Sequence, residues 1–265
     1  LHAGDEWAWF RPLVDRFNAN RREHFDLGAF LTIDESIFAW RPRASKTGGL
    51  PHLTHEPSKP EDLGTMVKNT ADPTTGVMIA MEIQEGKTRM EDKRFQMSQP
   101  GFKTAATTVR CVEDATGVKL PDVATGRKRC IVLGDSWFAS VKCANALKLA
   151  GHHFTGNVKG NNAGKFPRAW LIEKLKDARR GSHCVLNTQI TTDGENVDLF
   201  AIGYKYNQRR VLTFISTRGK TTPGDPYIAH YTDDNGHLVE VPIPRPELIS
   251  DYFNRSGAID ENNAS

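Results

Sequence analysis

The apolar residues at the start of the chain follow first a helical and then a strand spacing. In residues 1–28 they recur every three or four positions, which predicts an amphipathic helix with an apolar face of Trp9, Phe10, Leu13, Val14 and Phe17. Residues 30–33 then predict a strand, in which Asp34 has apolar neighbours. A buried carboxylate is costly unless it is paired or binds a cation, so a salt bridge to an Arg and a metal site are both open.

The next segment predicts a loop, a hairpin and a helix. Residues 41–64 are rich in Pro, Gly, Ser, Lys and His, which is typical of a long loop. Turn residues at 72–76 separate two strand-like runs, of which the second covers 77–83. Residues 104–116 keep a helical spacing of apolar positions, and Gly117 offers an end to that helix.

The segment 129–140 places an acid at the end of a buried strand. Its apolar residues 130–133 fit a short core strand, and Asp135 falls where that strand stops. The apolar residues that follow keep a helical spacing as far as Gly151, and Ser136 is placed to cap this helix. Open α/β sheets place chemistry at such a strand end, although most acids there are ordinary caps or turn formers.

The second half of the chain changes to a β-rich pattern. A basic helical segment, 165–180, precedes five strand-like runs, which are 184–191, 197–206, 211–216, 227–231 and 237–241. Asp193-Gly194 and Asp234-Asn-Gly236 form turns between these runs. The last predicted helix begins near Pro246.

Composition describes a globular protein of mildly basic charge. The 265 residues are 38% hydrophobic, and no apolar run approaches the roughly 20 residues of a membrane span. The four cysteines form no C-x-x-C pair, so neither a zinc ribbon nor a disulfide framework is indicated, and a reducing compartment fits best. The net charge of +3 is well short of a dedicated nucleic-acid-binding domain. The basic residues are nevertheless clustered, and each cluster is either a solvated face or a phosphate contact.

Three ordered motifs in this chain resemble the catalytic blocks of piggyBac-type transposases. Leu31-Thr-Ile-Asp34-Glu35 resembles the first block, L-T-x-D-E. Asp135-Ser-Trp-Phe-Ala-Ser140, followed by Thr155-Gly-Asn-Val-Lys159, resembles the second block, D-N-x-F-T-S and G-T-x-R-x-N. Asp251-Tyr252 and Gly257-Ala-Ile-Asp260 resemble the third, D-Y-N-x-x-M-G-G-V-D. Three blocks in the family's order are far more specific than any one of them.

The resemblance implies an α/β fold, a ribonuclease-H-like mixed sheet flanked by helices with a β-rich insertion before the last catalytic helix. In that fold the first and fourth strands lie side by side, so Asp34 and Asp135 would be neighbours. We expect an excised fragment of a longer protein. Its units would be the tail of an upstream helical dimerisation and DNA-binding domain (1–28), the first part of the catalytic core (29–161), the insertion (162–245) and a truncated final catalytic segment (246–265).

The resemblance assigns catalysis and metal binding to three acids, Asp34, Asp135 and Asp260. Glu35 would be structural, and Asp251 and Glu261 are weaker candidates for the third acid. The third block departs from the family pattern, in which Asn, Met, Gly and an additional Asp stand where this chain has Phe253, Ser256, Ala258 and Asn263. An Asn still offers an oxygen to a hard cation but lacks the charge, so this departure concerns local metal affinity.

The implied activity is cut-and-paste DNA transposition by phosphodiester hydrolysis and transesterification. Two Mg²⁺ ions, for which Mn²⁺ can substitute, would activate the attacking oxygen and stabilise the leaving oxygen. Mg²⁺ prefers oxygen ligands, which explains why acids are needed rather than Cys or His. Implied partners are double-stranded DNA with a TTAA target and a second copy in a homodimer, in the nucleus and without a membrane. Candidate DNA contacts are Arg41, Arg43, Lys59, Lys159, Arg209 and Arg210.

Two other interpretations stay open. A domesticated transposase-derived protein would keep the fold and DNA binding without transposition. The intact acids argue against this loss of catalysis, whereas Asn263 and the altered segment 253–258 leave it open. A purely structural β-rich interaction domain would leave the three motif matches to chance.

Overall fold

Strands and helices alternate along the first half of the chain, and strands dominate the second half. The computed structural model describes residues 5–39, 51–57, 59, 61–95, 103–117, 129–160, 165–219 and 221–260. The strands are β1 (Phe30–Ala39), β2 (Leu53–His55), β3 (Leu63–Asp72), β4 (Val77–Ile83), β5 (Ile131–Gly134), β6 (His153–Asn157), β7 (His183–Thr192), β8 (Glu195–Lys205), β9 (Val211–Ser216), β10 (Tyr227–Thr232) and β11 (Leu238–Ile243). The helices are α1 (Arg11–His24), α2 (Lys87–Glu91), α3 (Lys103–Thr116), α4 (Val141–Leu149), α5 (Arg168–Leu175) and α6 (Glu247–Arg255).

The described strands β1 to β9 form one mixed sheet. Its order is β2-β3-β1-β5-β6-β9-β8-β7, and β4 pairs with β3 beside β2. The pairs β1–β5 and β5–β6 are parallel, whereas the other pairs are antiparallel. The predicted contact between the first strand and the strand before Asp135 is therefore confirmed. β2 lies in the segment that the sequence indicates to be a loop, so that part of the prediction is wrong.

The β-rich segment contributes to this same sheet. β9 pairs with β6 through Thr155 and Ser216, so β7, β8 and β9 continue the sheet beyond β6. β10 and β11 form a separate two-stranded ribbon. The predicted turn at Asp193-Gly194 has both residues at positive φ, as a tight hairpin requires. The four unit boundaries expected from the resemblance stay a prediction.

Alternation along β1 decides which face of the sheet carries the first acid. Leu31 and Ile33 belong to the main core beneath α3 and α4. Thr32 and Asp34 therefore point to the opposite face, since successive side chains of a strand alternate. That face is covered by α6, where the Thr32 hydroxyl donates to the backbone oxygen of Arg255 at 2.8 Å.

The N-terminal helix packs on a different stripe from the predicted one. Trp9 and Leu13 are 86% and 61% exposed, so their assignment to the apolar face is wrong. Val14 is buried as predicted, and the buried stripe also includes Asn18. The Asn18 side-chain amide donates to the backbone oxygen of Met81 on β4 and accepts the backbone N–H of Met81, at 2.9 Å each. These two hydrogen bonds satisfy the buried polar side chain and place its face of α1 against β4. Among the described helices, none has the length and apolarity to cross a membrane.

Candidate active site

Two acids directly follow the paired positions of two parallel strands. In the register of β1 and β5, Ile33 lies opposite Gly134, and the next residues are Asp34 and Asp135. One oxygen of Asp34, one of Glu35 and one of Asp135 all lie within 4.8 Å of one another. The structure therefore brings together two of the three predicted acids and adds Glu35 to them.

Asp135 is held by a tight turn. Its Oδ1 accepts the backbone N–H of Trp137 at 2.8 Å. The predicted capping role of Ser136 is wrong, because α4 begins at Val141 and its N-cap is Ser140, whose Oγ accepts a backbone N–H at 3.1 Å. The helix ends as predicted before Gly151, which has φ 83°.

The turn after Asp135 can lie on the strand ends because β6 carries a glycine there. A Cβ at Gly156 would lie 2.8 Å from the Cβ of Ala139 and 2.8 Å from the Phe154 ring, which is closer than such atoms pack. Gly156 is the register partner of Gly134, the residue before Asp135. Two facing glycines thus leave room for the turn that carries the acid.

Asp34 is buried, and its surroundings do not favour its charge. Its Oδ1 accepts the N–H of Glu35 at 2.8 Å. Burial raises the pKa of Asp34 to about 7, and the charges of Asp135 and Glu35 act in the same direction while Lys59 opposes them. Of the two possibilities for Asp34, the structure shows an ion pair, but with Lys59 at 3.6 Å and not with an Arg, and the metal site stays a prediction.

Glu35 is supported by a lysine and a tryptophan that the sequence analysis missed. The buried Lys68 places its Nζ 3.5 Å from Glu35 Oε1 and 3.8 Å from the centre of the Trp137 ring. The backbone N–H of Trp137 donates to Asp135, so Lys68 and Trp137 connect Glu35 to Asp135. The strand register pairs Glu35 with Lys68, and opposite charges in two strand-like segments were the available signal.

Asp260 reaches the site through α6. The end of this helix is fixed on β1, where the Arg255 guanidinium lies 4.2 Å from the centre of the Phe30 ring. Helical conformation resumes at Ala258, and Ile259 is fully buried. The Asp260 side chain is 63% exposed and lies outside the 4.8 Å cluster, with its Oδ1 3.6 Å from Lys59 Nζ.

Lys59 joins Asp260 to the cluster. Its Nζ is 3.6 Å from Asp34 Oδ2 as well, so the two carboxylates are no further apart than twice that distance. Burial lowers the pKa of Lys59, but the charges of Asp34 and Asp260 more than offset this effect and raise it. A second unpredicted neighbour is Tyr252 on α6, whose pKa is raised by burial and by the charges of Asp135 and Asp34.

The remaining predicted site residues lie near the acids or form ion pairs. Asp251 pairs with Arg218 at 3.5 Å and with Arg255 at 3.6 Å. Lys159 is exposed just beyond the end of β6, and Arg209 and Arg210 are exposed in the β8–β9 turn. Since β9 runs antiparallel to β6, this turn and the end of β6 lie at the same end of the strands as Asp135. We call this end of the strands the site edge. Outside the described residues lie Arg41, Arg43, Glu261 and Asn263.

The donor set fits a divalent cation. Asp34, Glu35 and Asp135 offer only carboxylate oxygens, the ligands that hard cations such as Mg²⁺ and Mn²⁺ prefer. Glu35 Oε2 is buried and has no hydrogen-bond partner among the described residues, so it is available as a ligand.

Comparison with known proteins identifies the family and the fold. A family model described as "Transposase IS4" matches residues 2–265. A cryo-EM structure of a piggyBac transposase synaptic complex with hairpin DNA is similar at a TM-score of 0.65 and 17% identity, over 98% of this chain and 45% of that chain. This chain thus spans less than half the length of that relative, and no curated protein gave a significant match.

The similarity confirms the predicted ribonuclease-H-like mixed sheet flanked by helices, and with it the resemblance to piggyBac-type transposases. Because the family model covers nearly all of its residues, the chain belongs to the Transposase IS4 family.

Proposed function

We propose that this chain is the catalytic part of a DDE-type DNA transposase that cuts and rejoins DNA by hydrolysis and transesterification at phosphodiester bonds. The observation that carries the proposal is the convergence of Asp34 and Glu35, in the middle of β1, with Asp135, just after the end of the parallel strand β5, with oxygens within 4.8 Å. Membership in a transposase family supports the same reaction class.

In this mechanism Asp34 and Asp135 would hold the metal ions, and Asp260 would complete their coordination. When bound, the divalent ions, Mg²⁺ or in its place Mn²⁺, activate the attacking oxygen and stabilise the leaving oxygen. The protein's part is to fix the acids before the substrate arrives. The turn at Trp137 orients Asp135, and the strand backbone orients Asp34 through the N–H of Glu35.

Glu35 has a supporting role in the same mechanism. Its Oε1 faces the Lys68 ammonium, and its Oε2 is left without a partner among the described residues. We propose that Glu35 would contribute to holding a divalent ion beside Asp34 and Asp135. This assignment extends the structural role that the motif implied.

Double-stranded DNA is the proposed substrate, and it would lie along the site edge, the end of the strands that carries the acids. Lys159, Arg209 and Arg210 are exposed at this edge and supply positive charge for a phosphate backbone. The relative of known structure was solved with hairpin DNA, which supports a DNA substrate for this chain. The homodimer, the TTAA target and action in the nucleus remain expectations from the resemblance.

The test is excision of a donor element, flanked by its own ends, by the complete protein. Asp34→Asn, Asp135→Asn and Asp260→Asn should each abolish excision, by about 100-fold or more, because each removes a ligand charge while keeping the side-chain shape. Asp251→Asn is the matched control, since this nearby acid is paired with Arg218 and Arg255. Chelation should stop the reaction, and added Mg²⁺ or Mn²⁺ should restore it.

The outcomes separate the candidates. Full activity of any one of the three variants would remove that acid from the catalytic set. A parent protein that binds its DNA ends but does not excise them would favour the domesticated alternative.

A further inference from the structure

We propose that Lys59 is an exchangeable counter-ion of the acidic site, and that a bound divalent cation displaces its ammonium group toward the phosphate backbone of the substrate. This inference rests on the proposed function, and it concerns a residue for which the sequence suggested only a DNA contact. It makes Lys59 a positioning residue in one state of the protein and a phosphate contact in the other.

The contacts of Lys59 are those of a cation that another cation can replace. Its Nζ lies 3.6 Å from an oxygen of Asp34 and 3.6 Å from an oxygen of Asp260, and the side chain is 17% exposed. Both distances are longer than the approximately 2.8 Å of a direct charge-assisted hydrogen bond. The ammonium therefore sits between the two carboxylates without close contact to either one.

Lys68 gives the contrast within the same site. Its side chain is only 2% exposed, and its Nζ is enclosed by the Trp137 ring at 3.8 Å and by Glu35 Oε1 at 3.5 Å. Lys68 also belongs to β3, whereas Lys59 lies in the segment between β2 and β3. The site thus has one lysine built into the sheet and one attached by a non-strand segment.

Charge decides which cation the acids prefer. Asp34, Glu35 and Asp135 converge and Asp260 is added beyond α6, whereas Lys59 and Lys68 supply only two single positive charges against these four carboxylates. A divalent ion carries twice the charge and binds carboxylate oxygens directly, at about 2.1 Å for Mg²⁺. A bound divalent ion would therefore replace the ammonium group beside Asp34.

The displaced ammonium has a use in the reaction. It stays attached within one side-chain length of the acids, which is where the scissile phosphate must lie if the metal pair is to act on it. A lysine ammonium binds phosphate as a compact point charge. Metal binding would thus convert an internal ion pair into a substrate contact and would couple loading of the site to DNA affinity.

The first experiment measures the displacement directly, in the unaltered complete protein without DNA. Brief acetylation followed by mass spectrometry reports the reactivity of each lysine, with and without saturating Mn²⁺. The proposal expects Lys59 to become several-fold more reactive when Mn²⁺ is present. Lys93 is the internal control, because it also contacts two carboxylates, Glu82 at 3.4 Å and Glu85 at 2.9 Å, at a similar exposure of 19%. Unchanged reactivity of Lys59 on a saturated protein overturns the proposal.

The second experiment measures Mn²⁺ affinity by calorimetry at one fixed pH. Lys59→Met should bind Mn²⁺ several-fold more tightly than the parent, because the competing ammonium is gone, and its metal-loaded form should bind duplex DNA more weakly. Lys93→Met should match the parent in Mn²⁺ affinity. Equal affinity of Lys59→Met and the parent overturns the counter-ion role and leaves the proposed function intact. If the parent binds no Mn²⁺, or Asp135→Asn binds it equally well, the proposed function itself fails.

Discussion

Two clusters of charged side chains in this protein differ in their balance of acid and base. Between α1, α2 and β4, the side chain of Glu85 faces Arg11 and Arg89 at 2.7 Å each and Lys93 at 2.9 Å. Where the middle of β1 lies beside the end of β5, three acids converge with Lys59 and Lys68 as their near cations. The three cations of the first cluster also pair with Asp5 and Glu82, so its charges balance. The second cluster has more acid than base.

This difference appears in the pKa of the central acid of each cluster. Burial alone would raise the pKa of Glu85, but hydrogen bonds from Arg11, Lys93 and Arg89 lower it to about 2. Burial raises the pKa of Asp34 to about 7 because its neighbours do not compensate. Burial of a carboxylate is therefore not in itself a sign of function. The informative feature is a buried acid whose charge the protein leaves unbalanced.

The largest expected effect is on the balanced cluster. Glu85→Gln keeps the side-chain shape but leaves Arg11, Arg89 and Lys93 with only Asp5 and Glu82 as acidic partners. We therefore expect the free energy of unfolding to fall by about 3 kcal/mol, the lower end of the range for a broken buried ion pair. Urea denaturation measures this change. Excision at a permissive temperature should persist, since Glu85 is not part of the acidic site. A variant that is fully stable but inactive would contradict the assignment of the two clusters.

A smaller effect of the opposite sign is expected at Asp34. Asp34→Asn removes an uncompensated buried charge, so the metal-free protein should gain about 2 kcal/mol of stability near pH 8. Denaturation in the presence of a chelator measures it. A loss of stability on this substitution would mean that Lys59 already compensates the charge.

The pH dependence of the two clusters sharpens the contrast. The folded pKa of Asp34 is raised, so its contribution is fully present below the ordinary value of 3.8 and is lost as the pH rises through about 7. The folded pKa of Glu85 is lowered, so its contribution is present above the ordinary value of 4.5 and is lost as the pH falls through about 2. Stability of the metal-free parent relative to Asp34→Asn should therefore decline between about pH 4 and pH 7. A flat difference over that range would contradict the raised pKa.

The acidic site could be predicted from the sequence to the extent that local patterns determine it. Short apolar runs ended at Asp34 and Asp135, and the order of elements placed the two strands side by side. The cap at Ser140 could not be predicted, because the turn that displaces it depends on packing against Gly156 on another strand. Such a contact leaves no trace in the spacing of neighbouring residues.

Long-range pairing explains the other differences. The buried stripe of α1 depends on Asn18, whose amide meets the backbone of Met81 across 63 positions of sequence. A polar residue in a helix predicts an exposed position, so the apolar spacing placed Trp9 and Leu13 inward instead. The resemblance predicts Lys59 only as a DNA contact, and its contacts to Asp34 and Asp260 depend on how three distant segments meet.

The smallest expected effect concerns two pairs of exposed arginines, one pair near the acidic site and one pair on α1. Arg209 and Arg210 are exposed at the site edge, and neither is within ion-pair distance of an acid among the described residues. Arg16 and Arg21 are exposed on α1, which packs on β4 at the other side of the sheet. If DNA follows the site edge, only the first pair contacts phosphate. Arg209→Gln with Arg210→Gln should then reduce the slope of log affinity against log salt concentration by about 2 for duplex DNA, whereas Arg16→Gln with Arg21→Gln leaves it unchanged.

Titration of fluorescent duplex at several salt concentrations measures both slopes on the complete protein. The two double variants lose the same net charge, so a general electrostatic effect would change both slopes alike, and only a located contact separates them. Equal slopes for the two would show that DNA does not run along the edge with Arg209 and Arg210. In that case the acids at β1 and β5 would be approached from the α6 side, where Asp260 is exposed.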